Sequence, residues 1–558
     1  MNNIDWLKAV LLAGMAVTLL LLVREWDKFQ ETKIAAAAST GGESFELAPG
    51  VSSGDELPSI DLPLQSAAAD LPLEMVETPI SGRSGALIGI RTDVLDLLID
   101  PRGGDIVSAK LLQYSVALDD PTPFTIMSPD ANRLYVAESG ILGPNATDTA
   151  DGRPLFSSSS SSYELVENQD QLRVDLHFDQ NGVLITKRFS LNRSDYLIQV
   201  EYLIDNQSAE VWRGAFYAQI KRTDFEPIVA GRMGVQPYLG AAVTTPEDRY
   251  KKVDFEDLAD APFRQTVDSG WVSMLQHYFL TAWLPDPDLT LEYNLRKAAN
   301  SNIYYLSFRQ PVVNIEPGAQ GEFNAQFYVG PKDQYRLEAI HPDLDLTVDY
   351  GWLWWAAQPL FWLMQRIHSL VGNWGISIIL LTLVVKLAFF KLSATSYKSM
   401  ARMRKLQPKM QALKERYADD KQTFSQEMMR LYQKEKVNPL GGCLPILVQM
   451  PVFIALYWVL LESVELRHAP FFGWIQDLSD KDPWFILPVI MGASMFLQMR
   501  LNPTPPDPTQ AKVMQMMPII FTFMFMWFPA GLVLYWSVNN ILSMTQQWII
   551  TRRIEAAG

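Results

Sequence analysis

From Val513 to Thr551 the chain runs through 39 residues without one Asp, Glu, Lys or Arg. A single helix of that length would be ~58 Å long, about twice the ~30 Å hydrocarbon core of a bilayer. Phe528-Pro529-Ala530-Gly531 falls near the middle, so the run reads as two spans with a break between them. Ala9–Val23, Ile367–Val385, Val437–Leu461 and Pro483–Met499 are also free of charge. Six membrane spans are therefore expected.

The charge is divided along the same line. The whole chain carries 47 Lys/Arg and 62 Asp/Glu, a net of -15. Residues 351–558 hold 20 and 12 of these, a net of +8, which leaves 27 and 50, a net of -23, for residues 1–350. An acidic, polar region is joined to an apolar, basic one. The acidic balance argues against direct nucleic-acid binding, which needs clustered positive charge. Lys/Arg in short loops set orientation. Residues Lys391–Lys436 carry 12 Lys/Arg against 5 Asp/Glu, and Glu462–Asp482 carry 2 against 5. The first loop is thus expected inside, the second outside, both termini inside, and the acidic region outside.

The sequence divides into a signal-anchor helix (1–24), a disordered linker (25–85), an external domain (86–345), an interfacial amphipathic helix (350–371), a five-helix core (372–551) with a helical hairpin (393–436), and a short tail (552–558). The anchor is read as uncleaved. Ala35–Ala38 offers a small-residue site, but REWDKFQETK separates it from the apolar run, whereas cleavage sites follow such runs closely. Trp352, Trp354, Trp355 and Trp362 suit the headgroup level, and Pro359 and Gly372 favour two separate helices over one long one.

The external domain reads as β structure. Leu172, Val174, Leu176 and Phe178 alternate with polar residues, Asn181-Gly182 supplies a hairpin turn, and Pro101–Gly104 another. A large antiparallel sandwich is expected. The chain's single cysteine, Cys443, lies outside this domain, which must therefore rest on its core rather than on disulfides. His177 lies in a strand and reads as a structural or surface residue, and His277, in an aromatic stretch, as a core one. No HExxH, no close histidine pair and no GxxxxGK[ST] is present; no metal, no cofactor and no enzyme activity are expected.

The polar residues within the spans carry the functional signal. Gly375, Thr382, Lys386 and Ser393 are spaced 7, 4 and 7 apart, one face of a continuous helix. A stripe ending in a cation suits a wet cavity; the alternative is a lysine that snorkels to the inner headgroups. Asn539, Asn540, Ser543, Gln546 and Gln547 mark one side of the last span, with Trp536 one turn above. Gln449 lies between Pro445 and Pro451. Such residues line a cavity or hold helices together. Met491, Met495, Met499, Met514, Met516, Met517, Met524 and Met526 fill gaps or form an adaptable apolar wall. In the basic loop, Met400, Met403, Leu406, Met410 and Leu413, then Phe424, Met428 and Leu431, predict two amphipathic helices, with Pro408 kinking the first and Thr423 with Gln426 forming a capping box. They either connect spans or dock incoming chains, ribosome or anionic lipid.

VGNWGISIILLT, LQPKMQALKERYADDKQTFSQEMMRLY, EKVNPLGGCLPILVQMPVFIALY, SVELRHAPFFGWIQDLS and WFPAGLVLYWSVNN resemble the Oxa1/Alb3/YidC family of membrane protein insertases, in its Gram-negative form. The resemblance covers roughly Gly351–Gln547. It implies a polytopic α-helical membrane protein whose five core spans enclose a groove open to cytoplasm and lipid. It also implies an external all-β sandwich of the galactose-mutarotase-like superfamily, lodged in the periplasm. The implied function is insertion and folding of nascent membrane proteins in the bacterial inner membrane, alone or with the Sec translocon. The groove would comprise Lys386, Thr382, Gly375, Ser393, Gln449, Trp536, Asn540 and Ser543, with Met450, Phe453, Met491, Met495 and Met524 as the apolar slide. The family's groove cation is usually arginine, so Lys386 keeps the charge without the bidentate fork; Trp536 stands where a tyrosine is usual. Two other classes are a small-solute transporter, which would show internal repeats, and a tethered sugar-processing protein of the periplasm.

Overall fold

The computed structural model describes residues 87–144, 146–149, 152–225, 237–417, 420–435, 444–501 and 508–556. The expected anchor, the linker and Cys443 lie outside these residues.

The acidic region folds as two β-sheets, one of eleven strands and one of nine. Alternating hydrophobicity explains why. In Gln171–Gln180, Leu172, Val174 and Leu176 are buried while their neighbours face water. The strand pairs antiparallel with Val183–Asn192 in the register Val174↔Phe189 and Phe178↔Ile185. The two-residue link needs left-handed backbone at both positions, and Asn181 (φ 54°) and Gly182 (φ 79°) supply it. Tyr135 and Trp283 stitch the sheets face to face, through Tyr135 Oη to Thr281 Oγ1 at 2.7 Å and Trp283 Nε1 donating to Gln219 O at 3.2 Å. The domain is a sandwich, as its sequence pattern predicts.

Its core holds charges as well as hydrocarbon. Arg153 donates through Nε to Asp148 Oδ1 at 2.6 Å, through Nη2 to Ser139 O at 2.8 Å, and through Nη1 to Asp105. Lys187, 1% exposed, donates to Gly103 O at 2.9 Å. Gly103 and Gly104 take φ of 75° and 65° at the Pro101–Gly104 turn, and a Cβ on Gly104 would meet Lys187 Cδ at 2.8 Å. The turn needs glycine for its backbone and for the passage of that lysine. Burial pushes the Asp105 carboxyl up to about 7, against the pull of Arg153, and pushes the Lys187 amine down to about 7.

The remainder is helical. Trp354–Val371 runs through Pro359, so the break comes from Gly372 alone, which ends the helix in left-handed conformation (φ 66°) with its N–H bonded to His368 O at 2.8 Å. Asn373 then caps Trp374–Ala388, accepting from Ile376 N at 3.0 Å while its amide donates to Phe471 O at 3.0 Å. Phe390–Arg416 and Lys421–Lys434 form the hairpin, sealed by Leu406, Met410 and Met428. The Thr423 capping box does not form: Asp420 caps the second helix by accepting from Gln422 N and Thr423 N. Its carboxylate stands one turn earlier and reaches both orphan donors. Leu444–Glu462, Ile486–Leu501, Pro508–Phe525 and Ala530–Ala556 complete the bundle.

The structure does not show the six expected spans as single rods, and the first of them lies outside the described residues. Among the described residues no one helix is both long and apolar enough to cross a membrane. Trp374–Ala388 and Phe390–Arg416 meet the criterion only as a pair bent by 69°. Gln449–Glu462, Ile486–Leu501 and Lys512–Phe525 are apolar but shorter. The 39-residue run does break, at Met526–Pro529, between Pro508–Phe525 and Ala530–Ala556. The latter is long, but Asn539, Asn540, Gln546 and Gln547 dilute its hydropathy.

A candidate groove of polar side chains among apolar helices

Lys386 lies in the last turn of Trp374–Ala388 and is 8% exposed. Its Nζ donates to Ser543 Oγ at 2.7 Å and stands 3.5 Å from Gln449 Oε1. Gln449 Nε2 donates in turn to Asn539 Oδ1. Three helices thereby meet through one cation, two amides and a hydroxyl. A fourth joins where Asn540 Nδ2 donates to Ser494 Oγ at 3.2 Å. Thr382, one turn from Lys386, is buried and returns its hydroxyl to Ile378 O at 2.6 Å; Ser543 does the same to Asn539 O at 2.6 Å. These bonds let hydroxyls sit among apolar helices without orphaned donors. Among the described residues no carboxylate contacts Lys386, so its charge is offset by dipoles alone.

Aromatic rings stand beside this cluster. Trp536 meets Phe453 edge-on at 4.4 Å and Phe525 at 5.2 Å. The Trp536 Nε1–H is buried with no hydrogen-bond partner, a donor left for water or a passing peptide. Met450 is 44% exposed, and Phe453, Met495 and Met524 are half-buried.

The structure brings together Lys386, Thr382, Gln449, Asn540 and Ser543, with Trp536 alongside. It does not extend the stripe to both ends. The helix stops at Phe389, and Ser393 lies beyond the 69° bend, so the final spacing of 7 no longer measures one face. Gly375 is packed under Phe471 of the loop that follows Leu444–Glu462, where a Cβ would collide with the ring. Met491 is fully buried and lines no surface. Sequence reasoning missed Ser494 and Tyr397. The Tyr397 hydroxyl reaches Ser543, yet it sits in a segment whose basic charge reads as a cytoplasmic arm. A small residue in register with Asn540 was the available signal for Ser494.

The helical part and the sandwich are tied together. His277 Nε2 lies 2.8 Å from Leu461 O, so this histidine is half-buried at the domain junction rather than in the sandwich core. Lys332 and Glu462 pair at 3.4 Å with both side chains nearly inaccessible. Arg467 Nη2 donates to Ser115 O at 2.6 Å, and Ser115 Oγ lies 3.1 Å from His468 Nδ1. His177, by contrast, is exposed beside Thr186.

Comparison with known proteins agrees with this two-part architecture. Residues 87–363 match the family described as YidC periplasmic domain, and residues 366–557 match 60Kd inner membrane protein. A "Membrane protein insertase YidC" of Cellvibrio japonicus is 54% identical over 556 residues, covering 99% of each chain. One of Stutzerimonas stutzeri is 53% identical over 561 residues, again covering 99% of each. A solved structure described as an active YidC insertase with its first transmembrane domain resolved is 19% identical, covers 83% of this chain and 92% of that one, and superposes with a TM-score of 0.37. On the strength of full-length relatives at more than half identity, this chain belongs to the YidC family of membrane protein insertases.

Proposed function

We propose that this chain inserts nascent integral membrane proteins into the bacterial inner membrane and assists their folding, alone or beside the Sec translocon. The observation that carries the reading is the Lys386–Ser543–Gln449–Asn539 cluster, its lysine and serine buried and its amides half-buried, which joins three apolar helices with no carboxylate among the described residues. A polar segment entering such a groove exchanges water for amides, hydroxyls and one cation, which lowers the barrier of crossing hydrocarbon. The apolar span that follows leaves past Met450, Phe453, Met495 and Met524 into lipid. Its own partition supplies the energy, ~0.8 kcal/mol per buried CH₂.

Six spans with both termini cytoplasmic and the sandwich periplasmic complete the reading, the basic hairpin 393–436 serving as a docking arm for nascent chains or ribosome. The transporter and sugar-processing alternatives lack support from any of the full-length relatives. Photo-crosslinking tests the route. A photoreactive residue at Met450 is expected to capture a stalled single-span nascent chain, whereas one at Trp548, which is exposed on the last helix, is expected to capture little. Equal capture at both positions would remove the assigned path.

A further inference from the structure

Glu465 presents a different problem from Glu462. It lies in the short 3-10 turn Val464–Leu466, just past the Leu444–Glu462 helix, where the outer loop meets the sandwich. Its Oε1 is buried and has no hydrogen-bond partner. The cations around the junction are engaged elsewhere. Lys332 pairs with Glu462. Arg336 donates to Asp195 Oδ1 at 2.6 Å and to Ser194 O at 2.7 Å. Arg467 donates to Ser115 O, and its guanidinium lies over the Phe124 and Phe279 rings. His468 faces Ser115. The charge that acts on Glu465 is Asp333, of like sign, whose carboxylate caps Gln334–Ile340. Tyr114 of the sandwich, with Tyr335 and Tyr350, completes the ionisable surroundings. Burying a carboxylate here without a cation is costly; burying a carboxylic acid is not.

We infer that Glu465 is a proton-dependent latch: in its neutral form it seals the sandwich onto the outer loop of the helical core, and its ionisation favours their separation. The physics gives the direction. Burial raises the carboxyl from its ordinary 4.5 to about 8. The docked state therefore binds the proton more tightly than the separated state, whose carboxyl has water. Docking is strongest below pH 4.5. It weakens as pH rises through the window from 4.5 to about 8, by up to about tenfold in the equilibrium per pH unit, and levels off above it. Glu462 shares the direction, because burial raises its carboxyl too, but its paired Lys332 pulls against that rise, a counter-charge that Glu465 lacks among the described residues.

Hydrogen-exchange protection factors, which divide out the intrinsic pH dependence of exchange, test this in the full chain reconstituted in nanodiscs. Segments 332–340 and 463–469 are expected to lose protection steadily between pH 5 and pH 8 and to change little above. Glu465→Gln is expected to lose Glu465's share of this decline, so that its protection falls less steeply with pH than the wild type's. Because glutamine keeps the shape and size of the neutral acid, that variant is expected to fold. Flat protection in the wild type, or the same decline in Glu465→Gln, would overturn the latch.

Discussion

Arg153→Met is expected to lower the stability of the sandwich by about 3–5 kcal/mol, the cost of removing one partner from a buried charge network. Arg153 is the point where Asp105 and Asp148 are offset together, and it also satisfies Ser139 O. Methionine fills the volume but leaves two buried carboxylates with too few cations. The loss should depend on pH. Asp105 is held near 7 even with Arg153 beside it, and without that cation its proton is held still more tightly. A folded-state pKa above the unfolded one removes stability as pH rises between the two values. The deficit is therefore expected to be larger at pH 8 than at pH 5. Thermal unfolding of the full chain in micelles, followed by near-ultraviolet circular dichroism, measures it. A shift of less than a degree at pH 8 would show that the network is solvated rather than buried.

Lys332→Met is expected to be nearly as severe, and its consequence falls on the junction between domains. Lys332 and Glu462 expose 1% and 2% of their side chains, so losing the lysine strands a carboxylate in an apolar seam. A cost of about 3–5 kcal/mol follows for docking. Replacing both, Lys332→Met with Glu462→Leu, is expected to recover most of it, because a buried ion pair is often no better than hydrocarbon of the same size. Protease sensitivity of the seam around residues 332–340 and 461–468 reports the result. If the double variant is as open as the single one, the pair fixes geometry that packing cannot replace.

Much of this architecture is legible in the residues, and the failures have physical causes. Period-two alternation and Asn181-Gly182 are local, so the hairpin of Gln171–Gln180 with Val183–Asn192 could be read directly. The pairing of Ile88–Arg91 with Ser162–Glu164 could not, because nothing local encodes a partner seventy residues away. Lys187 was in view all the same: Val183, Ile185, Lys187 and Phe189 share the inward face of one strand, which puts a lysine in the core. The bend at Phe389 carries no glycine or proline to announce it. Reading one helix through Ser393 therefore placed four residues on one face where the structure aligns Thr382 and Lys386. The residues that gather around Lys386 come from distant segments, and only the bulk pattern of amides in uncharged spans hinted at their meeting.

On the proposed mechanism, a charged groove built around Lys386 lets this protein insert a membrane span by itself. Insertion of a labelled single-spanning substrate into liposomes holding only this protein, scored by protease protection, tests it most directly, with Lys386→Ala and Lys386→Arg alongside. One charge–dipole or charge–charge attraction of about 1.4 kcal/mol changes partition about tenfold. Protection by the wild type, kept by arginine and reduced about tenfold by alanine, is the expected result. Equal protection in all three would contradict the charge-dependent groove, and no protection by the folded wild-type protein would contradict autonomous insertion itself.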